Sequence, residues 1–238
     1  MRLAVVADIH ANLPALEAVL ADIDRRQPDD LICCGDLVGY GASPNEVVSR
    51  LRERKVSTVA GNYDDGIGNR RLICGCDFAN AYEQELGEQS IRWTLENTSE
   101  ETRAYLRSLP TELTMSAGGR TIHFFHGSPR RLNEYLRDSS DEGLLREVGE
   151  LSGADILVFA HTHRPFHRLV TGRHFINAGS VGKPKHGNPN AIYALIEVGE
   201  AVAAHFIEVP YDVERAARAV EEAGLPVELA NRLRRGVG

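Results

Sequence analysis

The chain lacks the features that mark a secreted, membrane-bound or polyanion-binding protein. Its longest apolar run near the start, Leu3 to Ala7, is too short for a signal-peptide core or a membrane span, and Asp8 interrupts it. A cytoplasmic location without membrane attachment is therefore expected. Positive charge is not in excess: 27 Lys and Arg stand against 34 Asp and Glu, a formal net charge of -7. This gives no general attraction for DNA, RNA or an anionic membrane, so a nucleic-acid polymer is a poor partner. Cysteine is scarce. Cys33 and Cys34 are adjacent and cannot easily bridge each other, and Cys74-Gly75-Cys76 has no second Cys pair or nearby His to complete a tetrahedral metal set. Reduced thiols are expected. Low-complexity tracts are absent as well, which excludes extended disorder.

The remaining composition is that of a folding domain. With 238 residues, 42% hydrophobic and 26% charged, the chain can bury one substantial core, and a single domain over residues 1–238 is expected. Its first part alternates strand and helix patterns. Leu3 to Ala7 precedes a helical spacing from Leu13 to Asp24, with Leu16, Val19, Leu20 and Ile23 on one face. Leu31 to Cys34, a helix from about Asn45 to Arg54, and Val56 to Ala60 repeat the theme and predict right-handed β-α-β units with parallel strands.

Residues 64–110 change to helix without strand, roughly Phe78 to Glu96 and Ser99 to Ser108, with Thr98 and Glu101 spaced as a capping box. This is either a helical insert beside the site or a long crossover packed on the sheet. After His163 come short strands, Phe166 to Val170, His174 to Asn177, Ala191 to Val198 and Ala201 to Val209, which favour an antiparallel meander in a second sheet. Residues 211–238 read as closing helices, one capped by Asp212 and one opened by Pro226.

Five of the apolar runs end on metal-type ligands. They lead into Asp8-Ile9-His10, Gly35-Asp36, Gly61-Asn62, His126, and His161-Thr162-His163. In an open α/β sheet, ligands bind outside the carboxyl ends of the strands, so residues far apart in sequence can converge there. Two Asp, one Asn and four His offer oxygen and imidazole donors without thiolate, a set suited to Mn²⁺, Fe²⁺, Zn²⁺, Ni²⁺ or Co²⁺. Seven side chains exceed the needs of one ion and suffice for two if a carboxylate bridges. Two such ions can clamp a phosphoryl oxygen, which points to hydrolysis of a phosphate ester.

The ordered blocks Asp8-x-His10, Gly35-Asp36-x-x-Gly39, Gly61-Asn62-x-Asp64, His126-Gly127 and His161-Thr162-His163 resemble the calcineurin-like metallophosphoesterases, in particular their small bacterial and archaeal phosphodiesterase branch. The likeness spans roughly residues 1 to 210 and includes the closing segment Phe175 to Gly182. It implies an α/β fold, a four-layer α/β/β/α sandwich, with two divalent metal ions at the C-terminal edge of the central sheets. One ion is implied on Asp8, His10, Asp36 and His163, the other on Asp36, Asn62, His126 and His161, with Asp36 as the bridge. The reaction implied is in-line attack by a hydroxide bridging the two metals, without a phosphoenzyme.

One position departs from the usual family pattern. Asn62 is followed by Tyr63 where the family commonly has a His that pairs with the next Asp and protonates the leaving oxygen. A phenol with an ordinary pKa near ~10 is a weaker acid than a protonated imidazole. Activated esters are therefore expected to turn over better than alkyl phosphates. Asp64 either orients Tyr63 or a ligand, or caps the following segment. Tyr40 either stacks on a base or closes the pocket, or else packs, and Arg130 and Arg131 either hold a second phosphate or are surface charge. His123 is expected on the opposite strand face from the site, and His186, between Lys185 and Gly187, matches no block.

The function expected is metal-dependent hydrolysis of a small phosphate ester, as phosphodiesterase or phosphatase, with Asp36, Asn62, Tyr63, Asp64 and His126 nearest the chemistry. A dinucleoside polyphosphate hydrolase or a serine/threonine phosphoprotein phosphatase is the alternative. Retention of all seven ligands argues against a non-catalytic scaffold. A small phosphorylated substrate is the partner expected, and a homo-oligomer is compatible with the sequence.

Overall fold

The computed structural model describes all residues except 73, 74, 76, 78, 79 and 238. In chain order the elements are β1 (Arg2–Val6), α1 (Leu13–Arg26), β2 (Asp30–Cys33), α2 (Pro44–Glu53), β3 (Ser57–Thr58), α3 (Asn62–Gly68), α4 (Ala81–Asn97), α5 (Glu100–Ser108), β4 (Glu112–Ala117), β5 (Arg120–Phe125), α6 (Glu142–Ser152), β6 (Ile156–Phe159), β7 (Phe166–Val170), β8 (Arg173–Asn177), β9 (Ala191–Val198), β10 (Val202–Val209), α7 (Val213–Glu222) and α8 (Val227–Arg235). They form two mixed sheets, ordered β10-β9-β1-β2-β3 and β4-β5-β6-β8-β7.

Side-chain alternation along the strands makes the layers. In β1, Leu3 and Val5 enter a core shared with Ile122, Phe124, Ile156 and Val158 of the other sheet, while Ala4 and Val6 face Leu16, Val19 and Leu20 of α1. In β6, Leu157 and Phe159 turn outward to Leu145 and Val148 of α6. Three apolar cores therefore separate four layers, helix, sheet, sheet and helix, as a period of two with both faces apolar requires. The fold is α/β with two mixed sheets and helices on both sides.

The parallel unit β1-β2-β3 forms as the first part of the sequence predicts. Its third strand is shorter than Val56 to Ala60, because only Ser57 and Thr58 pair with β2 before the chain turns into the site. The late strands do not form one meander. The β7-β8 hairpin joins the second sheet with β8 parallel to β6, whereas β9 and β10 return to the first sheet, antiparallel through β9 to β1. The reason lies in β9: Ala194 and Ile196 fill the inter-sheet core while Tyr193 and Leu195 fill the helix-side core. A strand apolar on both faces belongs inside a sheet.

Strand β4, with its Gly118-Gly119 turn into β5, and helices α3 and α6 were not legible as elements. The predicted capping box sits one residue late: Ser99 is the cap, its Oγ accepting the Thr102 N–H at 3.1 Å, while Thr98 Oγ1 donates back to the Thr94 carbonyl. The start of the predicted helix at Phe78, and Cys74 and Cys76, lie outside the described residues. Helices α4 and α5 fill this segment without an intervening strand. Ile91 and Leu106 join the core over the first sheet, and Glu83, Leu86 and Gly87 border the cleft at the strand ends. Among the described residues, no helix is long and apolar enough to cross a membrane.

Candidate metal centre

All five ligand blocks leave their strands at the same edge, and hydrogen bonds between the exit loops hold them together. Asp8 N–H donates to the Gly35 carbonyl at 3.0 Å, His10 N–H to Asp36 at 3.0 Å and Ala11 N–H to Leu37 at 2.8 Å. From the far end of the chain, the Ser180 hydroxyl and Gly182 N–H both donate to the Asp8 carbonyl, at 2.9 and 3.0 Å. The turns are sharp. Asp8, His10, Asp36, His161 and His163 all have left-handed backbone, with φ between 47° and 67°. Non-glycine residues pay roughly 1–2 kcal/mol each for that conformation, and such strain clusters at functional sites. Gly61 is required for a different reason: a Cβ there would run into the Asp36 carboxylate and backbone.

Among the described residues, two sets of side chains could hold a metal ion, Asp8, His10 and His163, and Asp36, His126 and His161, each with ligand atoms within 4.8 Å of one another. Asp36 reaches both. Its Oδ2 lies 3.7 Å from His10 Nε2 and 3.4 Å from His126 Nε2, where a shared carboxylate must be. Asn62 Oδ1 is 3.1 Å from His126 Nε2, on the side of the second set. All seven expected ligands are thus brought together.

Carbonyls aim the imidazoles. His10 Nδ1 lies 3.0 Å from the Val38 carbonyl, His126 Nδ1 2.7 Å from Cys34 and His163 Nδ1 2.6 Å from Lys183. A carbonyl only accepts, so each Nδ1 carries the hydrogen and each Nε2 faces the centre, with a lone pair on the neutral rings of His10 and His163. Burial keeps three rings neutral, lowering His10 and His161 to about 3 and His163 well below the ordinary value. Burial alone would raise the Asp36 carboxyl, but the His126 ring outweighs it and holds Asp36 below the usual range. For His126, burial is outweighed by Asp36 and then Asp8, which lift it to about 9.

Asp8, raised to about 7 chiefly by burial, accepts the His161 N–H on Oδ2 at 3.2 Å. Its Oδ1 and His161 Nε2 are buried without a hydrogen-bond partner among the described residues. Buried polar atoms are normally satisfied, and two orphans aimed into a basin of carboxylates and imidazole lone pairs fit divalent cations.

Asp64 does two jobs that the sequence left as alternatives. It accepts the Leu37 N–H on Oδ1 and the Gly61 N–H on Oδ2, both at 2.9 Å, so it caps α3 and also pins the loop carrying Asp36. Burial, followed by the charge of Asp36, raises its carboxyl to about 7. Tyr63 donates its N–H to Asp36 Oδ1 at 2.8 Å, and its ring lies edge-on to His10 at 5.3 Å, on the wall of a cleft of about 390 Å³ over the ligands. Tyr40 both packs and lines that cleft.

Arg130 pairs with Glu134 and Glu147 instead, beside a separate depression it shares with Arg131, which corrects their candidacy for a phosphate at the centre. His123 bonds Ser152 and Glu112 on the outer strand face, as its register predicts. Tyr135, whose ring packs on His161 at 4.2 Å, and Glu83 and Arg232 on the cleft wall carry no signal in any sequence motif.

A two-sheet sandwich with paired His and carboxylate clusters at one strand edge defines a metal-dependent phosphoesterase. Residues 1–201 match the calcineurin-like phosphoesterase superfamily domain, and the chain belongs to that family. The protein MJ0912 of Methanocaldococcus jannaschii is 31% identical over 97% of this chain and 96% of its own length. The crystal structure of a metallophosphoesterase from Sphaerobacter thermophilus is 31% identical, covering 100% of this chain and 99% of that one with a TM-score of 0.80. Phosphodiesterase YfcE of Escherichia coli is 26% identical over 83% of this chain and 88% of its own.

Proposed function

We propose that this phosphoesterase is dinuclear and hydrolyses a small phosphate ester, a diester in preference to a monoester. The observation that carries the dinuclear assignment is the position of Asp36, one carboxylate oxygen within 4 Å of an imidazole nitrogen from each ligand set. One ion would take Asp8, His10, Asp36 and His163, the other Asp36, Asn62, His126 and His161. Two divalent cations there would neutralise charge building up at phosphorus and make a nucleophile available at neutral pH.

The rest of the work falls to the chain itself. The backbone carbonyls at Val38, Cys34 and Lys183 hold three rings in the ligating tautomer. Asp64 and Gly61 keep Asp36 in place, and Tyr63, on the cleft wall, steadies Asp36 Oδ1 through its backbone N–H. A phenol protonates a departing alkoxide poorly, so esters with good leaving groups suit this site best. The name of YfcE, a phosphodiesterase, supports the diester preference. The formal charge of -7 and a cleft of about 390 Å³ support a small substrate over a polymer, and we place the protein in the cytoplasm.

The test is hydrolysis of bis-p-nitrophenyl phosphate and p-nitrophenyl phosphate by metal-stripped protein reloaded with Mn²⁺, Ni²⁺, Zn²⁺ or Mg²⁺, beside an Asp36→Asn control. Metal-dependent release that the control abolishes, faster on the diester, is expected. A protein that binds two metals per chain and hydrolyses neither compound would sink the proposal.

A further inference from the structure

The ligand cluster forms the floor of the cleft, and its rim carries cationic side chains that the chemistry at phosphorus leaves unassigned. Lys183 and Lys185, in the loop after the closing strand, both line it. Lys183 is 8% exposed, and its Nζ stands 4.1 Å from the centroid of Tyr40, whose ring packs edge-on against His10 at 5.0 Å. A single tyrosine ring therefore separates this ammonium from the first ligand set.

Lys185 lines the same cleft as His10, His161 and His163 of the ligand cluster and as Glu83 on the α4 wall. That wall is fixed, because Arg232 of α8 donates two hydrogen bonds to the Glu83 carboxylate of α4, at 2.7 and 2.5 Å, and ties the helices across the cleft. A substrate bound at the floor thus has cationic side chains and the Glu83–Arg232 pair on the walls beside it.

We propose that Lys183 and Lys185 form a subsite for a second phosphate, so that the preferred substrate is a phosphate ester bearing a further phosphate group. The inference rests on the phosphoesterase reading above and adds the substrate class. It takes over the role that the sequence offered to Arg130 and Arg131, which are engaged by glutamates elsewhere. Ammonium groups recognise a phosphate as compact point charges and do not need the flat fork of a guanidinium.

The experiment is calorimetric binding of adenosine 5′-monophosphate and adenosine 3′,5′-bisphosphate to the full Mn²⁺-loaded chain, for wild type, Lys185→Met and Lys185→Arg. Lys185 is the position to vary because it is partly exposed, whereas Lys183 is buried. A charge-assisted hydrogen bond is strong enough to make the bisphosphate bind about tenfold tighter or more in the wild type. In Lys185→Met that preference should shrink several-fold, and in Lys185→Arg most of it should return.

The ratio of the two affinities reports the subsite, because general loosening of the site weakens both ligands alike. Equal affinities in the wild type, or an undiminished preference in Lys185→Met, would overturn the subsite. If bis-p-nitrophenyl phosphate is still hydrolysed in a metal-dependent way, only the subsite falls. Loss of that activity as well would overturn both.

Discussion

Replacing Asp64 by Asn separates a helix cap from a structural pin in the site. Asp64 is fully buried, and its two oxygens accept the N–H groups of Leu37 and Gly61, each at 2.9 Å. An amide offers one acceptor oxygen and turns an NH₂ toward the other donor. One buried N–H is then orphaned, at a cost of about 1–3 kcal/mol. Burial and the charge of Asp36 raise the carboxyl to about 7, so ionised wild type also carries an unfavourable buried charge that the amide relieves. The variant should unfold in urea with about 1–3 kcal/mol less stability than wild type near pH 4, and the deficit should shrink as the pH rises from about 4 to 7. Loss of a helix cap alone costs about 1 kcal/mol. Activity should fall further than stability, because Leu37 follows Asp36 and Gly61 precedes Asn62. A ligand displaced on the order of 1 Å costs about 10²-fold in rate. A variant within 1 kcal/mol of wild type and unchanged in kcat/KM on bis-p-nitrophenyl phosphate would refute the pin.

Stripping metal should lower the midpoint of thermal unfolding, and Mn²⁺ at about a hundred times its Kd should restore about 2.7 kcal/mol for each ion bound. A midpoint indifferent to chelation would contradict a metal centre built from these residues. Tyr63→His should raise the rate on methyl p-nitrophenyl phosphate little and that on an alkyl diester by up to about 10²-fold. A flat response across leaving groups would dismiss the missing-acid explanation. His10→Gly should be more stable than His10→Ala by about 1 kcal/mol in chemical denaturation, because His10 has a φ of 47° that glycine adopts without strain. The reverse order would show that the strain is absent.

The site was legible in the sequence further than the fold. Each ligand block stands where an apolar run stops, and a chain that must turn at the end of a strand marks that place with Gly, Asp, Asn or His. The parallel unit was legible for the same reason, since β1 and β2 are short, apolar and bounded by turn residues. The destination of β9 was not, because a run such as Ala191 to Ile196 fits the middle of either sheet, and the choice depends on which neighbour lacks a partner. Helix α3 was hidden by its use: it begins at Asn62, a candidate ligand, and contains two glycines. The residues of the cleft wall left no local signal. Glu83, Tyr135 and Arg232 come from separate parts of the chain and meet only after the helices pack.

Each ligand set straddles the seam between the sheets. Asp8 and His10 leave β1 of one sheet and meet His163 beyond β6 of the other, while Asp36, beyond β2, meets His126 and His161. The centre therefore works as an AND gate on tertiary structure. A chain interrupted during synthesis before residue 161 carries both aspartates and no complete set. One interrupted before residue 191 has every ligand, yet β1 still lacks the neighbour that pairs with it from Arg2 to Val5. Hydrolytic competence arrives late and all at once, so truncated or misdocked copies in a cell should be silent toward phosphate esters instead of active with relaxed selectivity.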